Sequence, residues 1–345
     1  MAPFGDFHQL TGAGWSVWWR IREFDGSGLE VWWADFHGRR VLWRGSQPFA
    51  IVPYHHPIPG EPVPPEFTFK DGMNPQCHGA SFRALRHGAP NSSAPWTSNA
   101  WDAAVDTDAV VVEVDPATDF EPAVMTVVAK FQCGWYQYVH RWEFRGDGEI
   151  RPHLGMGGAL NPNDTSKSHV HHMYFRVDLD IDGFSSDVFE VFRHSSFNDP
   201  GGDAWSLVAT QGKHLFELSS ARKFRVRDLK SKSDLGALRG YEIEVPQSAP
   251  PDTHGTGDVW VTVYRGDNVE QGAEVGSSCD DRELEQLYAK GPLDTVNGSD
   301  IVLWIAIRHH HEPRFDGEEA EFLPYHYEEF SIVPRGFEVF HVQRR

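Results

Sequence analysis

The stretch His169–Gly183, HVHHMYFRVDLDIDG, decides how this chain is to be read. It is rich in β-branched and aromatic residues and stops at Asp182-Gly183, a turn dipeptide, which is the pattern of a strand. A strand alternates its side chains with period two, so His169 and His171 lie on one face and both imidazoles reach a common point. Nine residues separate His169 from Asp178, which changes the parity, so Asp178 and Asp180 are expected to share the other face and look outward.

The same pattern recurs along the chain. Trp15–Glu23, Leu29–Asp35, Arg40–Ile51, Ala109–Val114, Ala123–Phe131, Tyr136–Phe144, Val259–Arg265 and Ile301–His310 read as strands bounded by turn residues such as Asp25-Gly26 and Asp147-Gly148. Helical periodicity is weak and confined to Arg282–Lys290. Pro57–Pro65 and Gly88–Ser98 read as loops, because proline and small polar residues dominate them. The expected fold is therefore all-β, with sheets stacked face to face or closed. All-β domains often exceed 200 residues, so 345 residues fit one unit. The 13 Trp and 23 Phe supply the bulk for its core.

Charge and cysteine content narrow the function. With 31 Lys and Arg against 50 Asp and Glu, the formal charge is −19, which repels phosphate backbones and anionic lipid and so argues against nucleic acid. No run approaches the ~20 apolar residues of a membrane helix, and the N-terminus has no signal-peptide pattern, so a cytoplasmic location is expected. Three cysteines permit at most one disulfide, and a reducing compartment is expected.

The 19 histidines are the unusual count, and some form tight clusters. His309-His310-His311 ends the run IVLWIAIR, which places His309 and His311 on one face and offers a third nitrogen ligand. Three imidazoles without cysteine suit copper or zinc better than magnesium or calcium, which prefer oxygen.

Several stretches together resemble the catalytic domain of the copper-containing amine oxidases. HVHHMYFRVDLDIDG resembles that family's HxH-x-x-x-F-R-x-D-x-D-x-D-G strand. DIVLWIAIRHHHEP resembles its D-[IL]-V-x-W…H-x-P strand, where the His before x-Pro is a copper ligand, here His311. IVPRGF at Ile332–Phe337 is similar to its L-x-P-x-[GN]-F ending, and the sequence from Trp15 to Val52-Pro53-Tyr54 is similar to its entry, which closes on V-P-Y. The resemblance implies a large β-sandwich, the family's super-sandwich, as a single catalytic domain over residues 1–345 without the family's small N-terminal domains. It also implies copper on His169, His171 and His311, and a homodimer.

What the resemblance implies for chemistry is more specific. QCGWYQYVHRWEF matches the family's T-x-x-N-Y-[DE]-Y motif and places Tyr136 at the tyrosine that copper and oxygen convert to topaquinone. Three positions depart from that motif: Trp135 replaces Asn, Gln137 replaces an acid, and Gln132 replaces Ser or Thr. Asp71, in FTFKDGMNP, is the counterpart of the catalytic base, although it lacks the Glu of the family's D-x-G-E. Tyr54 matches the V-P-Y tyrosine that hydrogen-bonds the quinone. Asp178, Asp180 and Asp300 match the family's peripheral calcium ligands, and hard carboxylate oxygens suit that ion. The expected activity is oxidation of a primary amine by molecular oxygen to aldehyde, ammonia and hydrogen peroxide. The changes around Tyr136 leave a second reading open, a quinone-free copper oxidase, oxygenase or cyclase acting on a specialised metabolite. A third is an inert copper-binding relative.

Overall fold

A computed structural model describes residues 7–23, 26–54, 68–85, 109–158, 168–193, 204–215, 222–246, 252, 254–266, 279–289, 294–311 and 323–337. Two antiparallel sheets make up the fold. The first runs in space as β1 (His8–Gly12), β2 (Trp15–Arg22), β3 (Gly28–Phe36), β4 (Arg39–Pro53), β12 (His169–Leu179), β19 (Ile301–His311), β18 (Val259–Val263) and β15 (Gly212–His214). Two short strands, β5 (Thr68–Gly72) and β6 (Gln76–Cys77), extend it from β4. The second runs β14 (Ala204–Val208), β13 (Asp187–Arg193), β16 (Arg222–Lys232), β17 (Leu238–Val245), β21 (Ser331–Arg335), β11 (Ile150–Gly158), β10 (Tyr136–Arg145), β9 (Val124–Cys133) and β7 (Arg83–Ala84). Beside these, β20 (Leu323–Glu329) pairs with β11 and β8 (Val110–Asp115) with β9. A single helix, α1 (Arg282–Ala289), occurs among the described residues.

Each expected strand run corresponds to a strand within two residues at either end, and the weak helical signal corresponds to α1. The sequence reading passed over several strands, among them β13, β17, β11 and β16. IRPHLGMGG is rich in Gly and Pro, and RKFRVRDLKSK is strongly basic, yet Glu190 on the neighbouring β13 pairs with both Arg225 and Arg227. The loops expected at Pro57–Pro65 and Gly88–Ser98 lie outside the described residues.

The position of β12 explains its composition. It lies between β4 and β19, and all eleven of its residues are buried. Met173, Phe175, Val177 and Leu179 join the core between the two sheets. The intervening Tyr174 packs on the other face with Trp260, Trp304, Leu284 and Leu287, the last two from α1. A strand covered on both faces shows a continuous apolar run, not alternation. Where the sheets meet, Gly45 of β4 has no side chain because the Trp142 ring of β10 occupies the space a Cβ would need.

Of the three cysteines, Cys77 and Cys279 are joined as a disulfide across 202 residues, and Cys133 is free and buried. This departs from the expectation of a reducing compartment, because structural disulfides persist in oxidising ones. No helix among the described residues is long and apolar enough to cross a membrane.

Candidate metal centre

The antiparallel register of β12 and β19 sets His169 directly opposite His311 and His171 opposite His309. In such a pair, opposed side chains sit about 4.5–5.5 Å apart at Cβ, which is how two strands separated by 142 residues bring their imidazoles together. His169, His171 and His311 are 0 %, 1 % and 2 % exposed, and they offer ligand atoms that all lie within 4.8 Å of one another. His311 Nδ1 is 3.0 Å from His169 Nε2. Among the described residues no other group of His, Cys, Asp or Glu closes so tightly.

The protonation chemistry matches a ligand set. Burial, together with the neighbouring His169 and His311, holds the His171 ring well below its ordinary pKa, so it is neutral. Both of its ring nitrogens are buried without a hydrogen-bond partner. An unpaired buried polar atom costs about 1–3 kcal/mol, and a bound metal ion removes that penalty. Three buried imidazoles whose ligand atoms converge in this way, with His171 neutral, thus fit a borderline transition metal.

Tyr136 opens β10 in the facing sheet, so the pocket lies between the two layers. Its hydroxyl is 3.0 Å from His169 Nε2 and 2.5 Å from the Tyr54 hydroxyl. Tyr54 follows β4, bridges to His169 through its backbone and stacks on that ring at 4.4 Å between centroids. Burial, then the adjacent Tyr54 and Asp71, push the Tyr136 phenol well above its usual pKa, which keeps it protonated.

Asp71 on β5 is 3 % exposed and accepts hydrogen bonds from the Tyr138 hydroxyl at 2.8 Å and the Ala80 amide at 2.9 Å. Burial raises its pKa to about 6, against the lowering effect of those two bonds. Tyr136 and Tyr138 share one face of β10, with ring centroids 6.3 Å apart, so Asp71 is one tyrosine away from the histidine pocket. A buried carboxylate of this kind is a base near neutral pH.

The three departures around Tyr136 take definite positions. Gln132 donates from Nε2 to the carbonyls of Gly134 and Tyr136 at 2.8 and 3.0 Å, and its Oε1 accepts from Gln137 at 2.8 Å. The two glutamines therefore brace the β9–β10 turn, where Gly134 has φ of 56°. Trp135 packs edge-on against Phe69 of β5 at 5.0 Å and lies 6.1 Å from the Tyr136 ring. It forms part of the pocket wall.

The acidic residues after the histidines differ from expectation. Asp178 and Asp180 are buried, at 0 % and 5 % exposure, so they do not look outward into solvent. Asp178 accepts from Arg176 at 2.9 Å. Asp300 is half-buried just before β19. A fourth carboxylate, Asp187, was missed because nothing in its local sequence marks it. It is buried on β13, and both of its oxygens lack a hydrogen-bond donor. Burial, and then Asp228, Asp180, Asp300 and Asp178, push it up to about 9. Such mutual repulsion is the environment a hard cation relieves.

Comparison with known proteins agrees with this geometry. The family described as copper amine oxidase, enzyme domain, matches residues 121–342. The chain is 25 % identical over 264 residues to amine oxidase [copper-containing] gamma 2 of Arabidopsis thaliana, a match covering 62 % of this chain and 38 % of that protein. It is 24 % identical over 260 residues to primary amine oxidase 2 of the same plant, covering 64 % and 38 %. The matches thus span well under half the length of these relatives. In structure it is similar to a copper-containing benzylamine oxidase from Hansenula polymorpha, with TM-score 0.69 and 19 % identity over 97 % of this chain and 61 % of that one. It is also similar to an Aspergillus nidulans amine oxidase, with TM-score 0.64 and 15 % identity over 94 % and 51 %.

Proposed function

The chain belongs to the copper amine oxidase family, and on that premise we propose that it oxidises a primary amine with molecular oxygen, using copper and a quinone made from Tyr136. The carrying observation is the convergence of the Tyr136 hydroxyl on His169 Nε2, at 3.0 Å, inside a pocket that also holds His171 and His311. Copper held by these histidines would supply the redox chemistry with oxygen, both in making the quinone and in restoring it each turnover.

The chain's own residues have separate tasks. The Asp71 carboxylate accepts the proton from the carbon next to the amine nitrogen, and Tyr138, donating to Asp71, holds it in place. Tyr54 fixes the ring at position 136 through its hydroxyl. Trp135 and Phe69 keep water from the pocket. Overall, the amine gives up two electrons and two protons, one from the carbon and one from the nitrogen, oxygen takes them up to become hydrogen peroxide, and water supplies the aldehyde oxygen as ammonia leaves.

Mass spectrometry of the peptide carrying Tyr136, from copper-loaded and aerated protein, tests the reading. A gain of two oxygen atoms less two hydrogens, about 30 Da, is expected. An unmodified peptide rejects the quinone and favours the quinone-free copper oxidase, oxygenase or cyclase, a reading supported by the wall that Trp135 adds beside the ring. Two further assignments belong here. Calcium would sit among Asp178, Asp180 and Asp300, with Asp187 close by, supported by their burial and mutual repulsion. The active form would be a homodimer, tested by light scattering.

A further inference from the structure

Histidines gather at one more place among the described residues. His309 lies two residues before His311 on β19 and so shares its face. On β20, in the other sheet, His326 and Glu328 likewise share a face. These two faces meet at the rim of the sandwich. The ring centroids of His309 and His326 are 5.1 Å apart, and His326 lies 5.7 Å from His311. Within the buried triad the corresponding spacings are 4.8, 4.6 and 5.8 Å, so the outer rings pack as close to one another as those of the triad.

Glu328 gives the outer pair its orientation. Its Oε1 is 2.8 Å from His309 Nδ1, a bond in which the imidazole N–H donates and the carboxylate accepts. With Nδ1 engaged in this way, Nε2 is the ring nitrogen of His309 left to meet a ligand. A carboxylate holding the far nitrogen of an imidazole is the usual companion of a metal-ligating histidine. The side chains of His309 and Glu328 each keep 22 % of their exposure, whereas no triad residue exceeds 2 %. The outer group is looser than the triad, which alone brings three ligand atoms within 4.8 Å of one another, so its grip is weaker and its exchange faster.

We propose that His309 and His326, positioned by Glu328, form a second, solvent-facing site for a divalent transition-metal ion, from which the ion passes by ligand exchange through His311 into the buried triad. The delivery step rests on reading the triad as the copper centre; the outer site does not. No electron moves in this transfer, and the ion only exchanges one imidazole for the next.

Copper(II) titration of the metal-free full chain, followed by calorimetry and electron paramagnetic resonance, tests both parts. The natural chain is expected to bind two equivalents, one at least tenfold weaker than the other. H326A should lose the weak equivalent, keep the tight one and fill the triad several-fold more slowly. E328Q, which keeps both rings, should weaken the outer equivalent about 10- to 100-fold. H171A should retain only the weak equivalent. A single equivalent that H171A abolishes and H326A leaves intact overturns the outer site. A single equivalent with the opposite dependence keeps the outer site and removes the triad reading instead. Filling of the triad at an unchanged rate in H326A overturns delivery.

Discussion

Two buried polar clusters on the same sheet, Glu30 with its arginines and the histidine triad, are built on opposite principles. Glu30 on β3 is fully buried, and its two oxygens accept from Arg20 Nε at 2.7 Å, Trp32 Nε1 at 2.9 Å, Arg44 at 2.8 Å and the Ser27 hydroxyl at 2.5 Å. Those four donors match the four acceptor positions of a carboxylate. Burial alone would raise its pKa, but Arg44, Arg20 and Arg22 outweigh it and hold the group down at about 2. In the triad the chain supplies a partner for His169, from the Tyr136 hydroxyl and His311, but none for His171, whose two ring nitrogens are left unmatched. Where a polar cluster is finished by its own chain it serves the fold. Where it is unfinished, the missing partner comes from outside.

The sharpest way to break this contrast is His171→Ala. Elemental analysis is expected to show loss of the tightly held copper, while thermal melting of the metal-free protein changes little or improves, because an unsatisfied group has been removed. Full retention of tight copper would place the ion elsewhere.

Asp71→Asn is expected to lower the rate of amine oxidation by about 10²- to 10⁴-fold with copper content unchanged. In the unaltered chain the group is active as the carboxylate, and its raised pKa of about 6 means that activity falls as pH drops through that value. A rate flat from pH 7 down to 5 would remove Asp71 as the base.

Glu30→Gln attacks the finished cluster. It leaves Arg20 and Arg44 buried without their carboxylate and is expected to lower stability at pH 7 by about 3–5 kcal/mol, measured by urea unfolding. The folded pKa lies below the ordinary 4.5, so the natural chain holds this stabilisation above 4.5 and loses it as pH falls toward 2. The gap between the two proteins should therefore narrow on acidification, and a gap constant with pH would refute the ionic account.

The smallest effect is expected for Gln132→Ala, which removes three hydrogen bonds that brace the β9–β10 turn, two to the Gly134 and Tyr136 carbonyls and one from Gln137, but touches Tyr136 only through its backbone. About 1 kcal/mol of stability should go, with copper binding intact. Loss of copper in this variant would show that the turn, and not the strand register, places the pocket.

Much of this was legible in the chain itself because it follows from periods and local chemistry. The strands of the core, the shared face of His169 and His171, and the family resemblance around Tyr136 and His311 are all written in short stretches, where side chains alternate with period two. What the sequence did not contain was how distant stretches are paired and what covers them. Strand register alone sets His169 against His311 and the two-sheet packing alone brings Tyr136 to His169. Asp178 was expected in solvent on parity, yet it is buried, since parity assigns a face and only the tertiary fold decides whether anything packs on it. Asp187 joins its acidic neighbours, and His326 meets His309, across two different sheets. Such contacts arise from the closure of the sandwich, a long-range event that no local pattern encodes.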